Sequence, residues 1–142
     1  MATMHPEPCA GTTPRADSAR RSLYLALGAG LTAFAIVEMI RFGGTAWFAL
    51  AFFLLPDLAL FYGAPRDLVP GQLHPRAVPF YNAVHSWYIP VVLMIVGLWL
   101  PPVVFVAGIA WAAHIAWDRG FGYGLRTREG YQRRPFCRRA HY

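Results

Sequence analysis

Residues 103–125 read VVFVAGIAWAAHIAWDRGFGYGL: an unbroken apolar run that ends on His114, Asp118 and Arg119. As an α-helix, roughly 20 such residues rise about 30 Å, the thickness of the hydrocarbon core of a bilayer. The length fits a membrane span. The question it raises is why ionisable groups sit inside one. His114 and Asp118 are four residues apart, so a helix stacks them on one face.

Three more apolar stretches precede this one: SLYLALGAGLTAFAIVEMI at 22–40, GTAWFALAFFLLPDLALFY at 44–62 and PFYNAVHSWYIPVVLMIVGLWL at 79–100. The fourth span is 103–124. The links are short or rich in breakers: Arg41-Phe42-Gly43-Gly44, then GAPRDLVPGQLHPRAV at 63–78, then Pro101-Pro102. Short links make antiparallel neighbours. The pattern predicts an all-α membrane protein with four transmembrane helices arranged as two antiparallel hairpins. Residues 20–125 form the transmembrane domain. Residues 1–19, rich in Pro, Thr, Ala and Ser, read as a disordered tail, and residues 126–142 as a basic tail.

Composition agrees. Of 142 residues, 56% are hydrophobic and only 14% charged, against about 25% charged in a soluble domain. Mean hydropathy is +0.35 and the pI about 9.9. The net charge of +6 comes entirely from arginines that flank apolar runs. They read as topology signals and contacts to anionic lipid, so nucleic acid is not an expected partner. Arg15, Arg20 and Arg21 lie before the first span, Arg66 and Arg76 in the middle loop, and Arg126, Arg128, Arg133, Arg134, Arg138 and Arg139 after the last. By the positive-inside rule both termini face the cytoplasm of a bacterial inner membrane. Cys9 and Cys137 would then stay reduced. A competing reading makes Arg20-Arg21 and Ala33-Phe34-Ala35 the marks of a cleaved signal peptide, although the apolar run continues past the site. Cleavage would leave the orientation of the other three spans unchanged.

With this orientation, Asp57, His85, His114 and Asp118 all fall roughly 5–15 Å inside the cytoplasmic boundary at 1.5 Å per residue. Three separate spans thus bring ionisable groups to one depth. Asn82 and His85 share a helical face, and Pro56 can bend the helix that carries Asp57. An aspartate facing lipid costs about 2.5–3.5 kcal/mol, so both aspartates should face the interior.

Two carboxylates and two imidazoles suit zinc, iron or manganese, and a bound divalent metal can activate water for hydrolysis. The same groups could instead fix helix packing by hydrogen bonds, or line a path for an ion or solute through an oligomer. A metal site requires ligand atoms roughly 3–4 Å apart; a packing network requires direct hydrogen bonds of about 2.7–3.2 Å.

Other features are plainer. Gly122-Tyr123-Gly124 matches part of a potassium filter, but it leads straight into a basic tail rather than a buried re-entrant loop. Gly120 and Gly124 fit a close-packing helix face. Glu38, three residues from Arg41, should pair with it. No nucleophilic Ser or Cys constellation, phosphate-binding loop or nucleotide motif is present.

The ensemble Leu55-Pro56-Asp57, Tyr81-Asn82-Ala83-Val84-His85, Pro90 and His114-x-x-x-Asp118-Arg119-x-x-Gly122-Tyr123-Gly124-Leu125 resembles a small bacterial integral-membrane family catalogued as domain of unknown function 4260. The resemblance covers roughly residues 22–132. It implies a four-span membrane protein and no established reaction. The middle loop is longer than the family's usual link, and the acidic residue of the first span, Glu38, comes late in it. The resulting expectation is an intramembrane metal site with Asp57, His85, His114 and Asp118 as ligands. Asn82, Arg119 and Tyr123 would lie around it or bind an amphiphilic substrate, with Arg119 holding an anionic headgroup. The alternatives are a small oligomeric ion or solute carrier and a non-catalytic scaffold.

Overall fold

The computed structural model describes residues 14–62, 68–69 and 71–133. Readings that fall on residues 1–13 with Cys9, on residues 63–67 and 70 of the middle loop with Arg66, and on residues 134–142 with Cys137 lie outside the described residues. Within them the chain is all-helical, apart from one isolated bridge between Arg126 and Gln132.

Helix α1, Pro14–Phe42, opens on a proline and carries Asp17 in its first turn. A proline costs a first turn no hydrogen bond, and an aspartate complements the helix dipole there. Residues 14–19, expected in a disordered tail, are therefore helical. The second apolar stretch is broken into α2 (Ala46–Leu54), a 3-10 turn (Leu55–Asp57) and α3 (Leu58–Tyr62). The break falls at buried Pro56, which has no N–H to continue the α-helical ladder.

A second 3-10 turn, Pro75–Ala77, leads into α4, Val78–Val84. The third apolar stretch is also interrupted: α4 stops at His85 and α5 runs from Tyr88 to Val96. Helix α6, Pro102–Phe121, is continuous. It ends at Gly122, whose φ of 94° a side chain would oppose. Gly122 N–H donates to Arg119 C=O and Tyr123 N–H to Asp118 C=O at 2.7 Å, a Schellman cap. Gly122-Tyr123-Gly124 thus serves to stop a helix.

Helix α6 is the shared partner of the others, packing against α1, α2 and α5, while α1 touches α2 only slightly. Residues 106–116 of α6 are all buried. Small residues permit the approach. A Cβ on Gly108 would sit 2.8 Å from Met94 N, and one on Gly120 would sit 2.6 Å from a Leu25 methyl. A core of Ala59, Leu73, Ala77, Val78, Tyr81, Val84, Trp111 and Ile115 joins α3, α4 and the middle loop to α6.

Two helical stretches, Arg15–Phe42 and Pro75–Val96, are long and apolar enough to cross a membrane; Ala46–Phe61 is apolar but shorter. The outer helices expose large apolar side chains, among them Leu23, Ile40, Trp47, Phe61 and Tyr88.

Residues 122–133, the start of the segment read as a basic tail, fold back over the middle loop. Leu73 N–H donates to Gly130 C=O at 3.0 Å, and the Arg126 guanidinium donates to Gly71 C=O at 2.7 Å.

Candidate metal centre

Both helix breaks place a site residue. Asp57 closes the 3-10 turn at Pro56, and its side chain is half exposed. His85 caps α4 with φ −95° and ψ 13°, outside the helical basin, and is 1% exposed. His114 and Asp118 come from the unbroken α6, one turn apart.

A break in a helix frees carbonyls that must find donors when buried. Helix α6 supplies them. Trp111 Nε1 donates to Val84 C=O at 2.8 Å, and an Arg119 nitrogen donates to His85 C=O at 3.1 Å. The second Arg119 nitrogen donates to Tyr123 C=O at 3.1 Å. Arg119 thus joins the α4 break to the segment after α6.

The His85 ring is fixed from two sides. Nδ1 lies 3.0 Å from Tyr81 C=O. A carbonyl only accepts, so in the neutral ring Nδ1 carries the proton and Nε2 presents a lone pair. The Tyr81 ring stacks on His85 with centroids 3.9 Å apart, and the Arg126 guanidinium lies 5.2 Å from the Tyr81 centroid. The Phe53 ring stands perpendicular to that of His114, centroids 5.4 Å apart, and His114 sits 5.5 Å from the His85 ring.

The four polar tips meet. His85 Nε2 lies 3.7 Å from Asp57 Oδ1 and 3.6 Å from Asp118 Oδ2. His114 Nε2 lies 3.6 Å from each of the same two oxygens. Both Nε2 atoms are buried with no hydrogen-bond partner. These separations exceed hydrogen-bond range, about 2.7–3.2 Å. A tetrahedron with arms of about 2.0–2.2 Å has edges of about 3.3–3.6 Å. Ligand atoms of Asp57, His85 and His114 all fall within 4.8 Å of one another, so the group could hold a metal ion. Asp118 Oδ2 approaches both imidazole nitrogens at 3.6 Å but is not a member of that three-residue group.

The remaining expected residues sit elsewhere. Asn82 binds the backbone of Arg126 in both directions: its Nδ2 donates to the carbonyl at 3.0 Å, and its Oδ1 accepts from the N–H at 2.7 Å. It tethers the chain after α6 rather than touching the four tips. Tyr123 is 52% exposed and contributes backbone groups only to the bonds described here. Glu38 pairs with Arg41 at 3.8 Å, as its spacing indicated.

Tyr81, Phe53, Trp111 and Arg126 were not singled out as site residues from the sequence. Tyr81 precedes His85 by one helical turn, and that spacing was available as a signal. The other three act across the fold, where no local pattern reveals them.

No curated protein and no solved structure matches the chain. The family described as Domain of unknown function (DUF4260) matches residues 25–135. These residues contain Asp57, His85, His114 and Asp118 together with both helix breaks, and the chain belongs to that family.

Proposed function

We propose that this protein is a four-span protein of the bacterial inner membrane with a divalent-metal centre near its cytoplasmic face, serving hydrolase-like chemistry on an amphiphilic substrate. Asp57, His85, His114 and Asp118 are the ligands, with one further position left for water. The observation that carries the reading is the pair of buried, unpartnered Nε2 atoms, each 3.6–3.7 Å from two carboxylate oxygens. If this were a packing network, the imidazoles and carboxylates would close to direct hydrogen bonds. The lone pair of His85 Nε2 instead faces oxygens that are themselves electron-rich, an arrangement that a cation between them stabilises.

Zinc accepts this nitrogen and oxygen set, and so do iron and manganese. A bound metal supplies Lewis acidity and lowers the pKa of a coordinated water. Asp57, half exposed on its 3-10 turn, marks the side from which water or substrate arrives. Arg119 is engaged by two backbone carbonyls, which favours a positioning role over the headgroup contact expected from the sequence.

The membrane reading is supported by the two spanning-length helices and by the apolar side chains that the outer helices expose. The interrupted stretches would be spans whose non-helical backbone is sheltered by α6, the only setting in which a bilayer tolerates it.

Elemental analysis of detergent-purified protein tests the centre. About one equivalent of metal per chain is expected, lost in His114→Ala and His85→Ala. Wild-type protein without metal after growth in metal-replete medium would sink the reading. Membrane-impermeant thiol labelling tests the topology: Cys9 and Cys137 should react only after lysis, and labelling of Cys137 in intact cells would reverse the orientation.

A further inference from the structure

A cavity of about 250 Å³ lies between α1, α2 and α6, one aromatic ring away from the metal centre. It exists because Ala35, Ala46, Ala49, Ala110 and Ala113 line it where larger side chains would close it. Its polar member, Thr32, is engaged: its hydroxyl donates to Gly28 C=O at 2.8 Å and accepts from Trp117 Nε1 at 3.1 Å. Water entering a cavity needs polar partners, and this lining is apolar.

The space is an open groove along the surface, where Ile36 and Leu50 are 48% and 49% exposed. One end abuts the elements that carry the ligands. Phe53 lines the groove, and its ring stands perpendicular to that of His114 with centroids 5.4 Å apart. Ala110 and Ala113 precede His114 on α6, and Phe53 stands four residues before Asp57. An apolar slot therefore leads toward a polar centre whose half-exposed member, Asp57, lies just beyond Phe53.

We propose that this slot binds the alkyl chain of a single-chain amphiphile whose anionic oxygen head reaches the metal centre past Phe53. The proposal rests on the metal reading and names the substrate class for that site. The match is one of chemistry and continuity: a carbon-lined groove for the chain, and a divalent cation for a carboxylate or phosphate oxygen. Phe53, between the two, is the residue that registers the chain against the head.

Photolabelling with a saturated fatty acid carrying a diazirine midway along its chain tests this, with metal content measured on the same samples. Label is expected on the peptides that contain Ala49, Phe53 and Ala110. Leu50→Trp and Ile36→Trp, at the exposed rim, and Ala110→Leu, inside it, should each reduce that labelling about tenfold while metal content is retained. His114→Ala should reduce it as well, because the head loses its anchor. The rim variants guard against failure of Ala110→Leu to fold. Labelling unchanged by the rim substitutions, spread evenly over the outer face of α1 at Leu23 and Ile40, or undiminished in His114→Ala would overturn the proposal. A wild-type sample without metal would overturn the metal reading itself, and the metal assay reports that independently of the label.

Discussion

Helices α1 and α6 are both long and rich in apolar residues, yet the fold treats them in opposite ways. In α6, residues 106–116 are buried without a gap. In α1, burial is confined to one seam, Gly28, Ala35 and Glu38, while Leu23, Phe34, Val37 and Ile40 are exposed. A helix that is apolar all round is normally buried all round, either in protein or in a membrane. Helix α6 has the first kind of cover; α1 lacks it among the described residues, and the proposed membrane reading gives it the second. The contrast teaches that hydrophobicity says a helix must leave water, but not which neighbour removes it. It also explains how α6 can carry His114 and Asp118 along its packed length. A histidine or aspartate is tolerable on a helix whose every face meets protein, because a partner can be placed opposite it.

The sharpest way to break this contrast is to remove a polar group from α6. His114→Ala should abolish metal binding, and acidification should weaken it in the wild type, since protons compete with the metal for both imidazoles. Metal content measured across a pH series checks both, and binding that strengthens toward low pH would contradict the ligand assignment.

The next largest effect is expected at Trp111. Its indole N–H satisfies the Val84 carbonyl freed by the α4 break. Trp111→Phe leaves that carbonyl unpaired in the interior and should cost about 1–3 kcal/mol. Unfolding of the detergent-solubilised variant measures it; no loss would mean that the break is satisfied in some other way.

Paired substitutions then test the two helices directly. Ala116 is fully buried in α6, whereas Ala26 in α1 is exposed. Ala116→Leu overpacks the core and should cost about 1–3 kcal/mol, while Ala26→Leu should stay within about 0.5 kcal/mol. Equal effects in thermal melts would mean that α1 is covered by protein after all, for instance by a second copy of the chain.

The smallest effect is expected at Arg41, an exposed partner at 3.8 Å from Glu38. Arg41→Gln should change stability by no more than about 1 kcal/mol, because the guanidinium itself is in the open and the contact is long, although its partner Glu38 is buried. A larger loss in the same melts would give Glu38 a role in the fold that its one weak pair does not explain.

Apolar runs, breakers and spacing along the chain were enough to determine an all-helical protein, a disturbance at Pro56 read as a bend, the break at Pro101-Pro102, the stacking of His114 over Asp118, and the Glu38–Arg41 pair. Each follows from local sterics, or from residues one turn apart. The meeting of Asp57, His85, His114 and Asp118 was legible too, because counting residues from the ends of the apolar runs sets them at one level. Tertiary structure alone decided the rest. The end of α4 at His85 depends on donors from Trp111 and Arg119, which lie on another helix. Asn82 turned away from the centre because the backbone of Arg126 offered it both a donor and an acceptor. The centrality of α6 arose from glycines and alanines that admit neighbours on every side, a property of two surfaces together. A helix carries its own periodicity in its sequence, but the donor that completes a break, or the ring that packs against a histidine, belongs to whichever element the fold sets beside it.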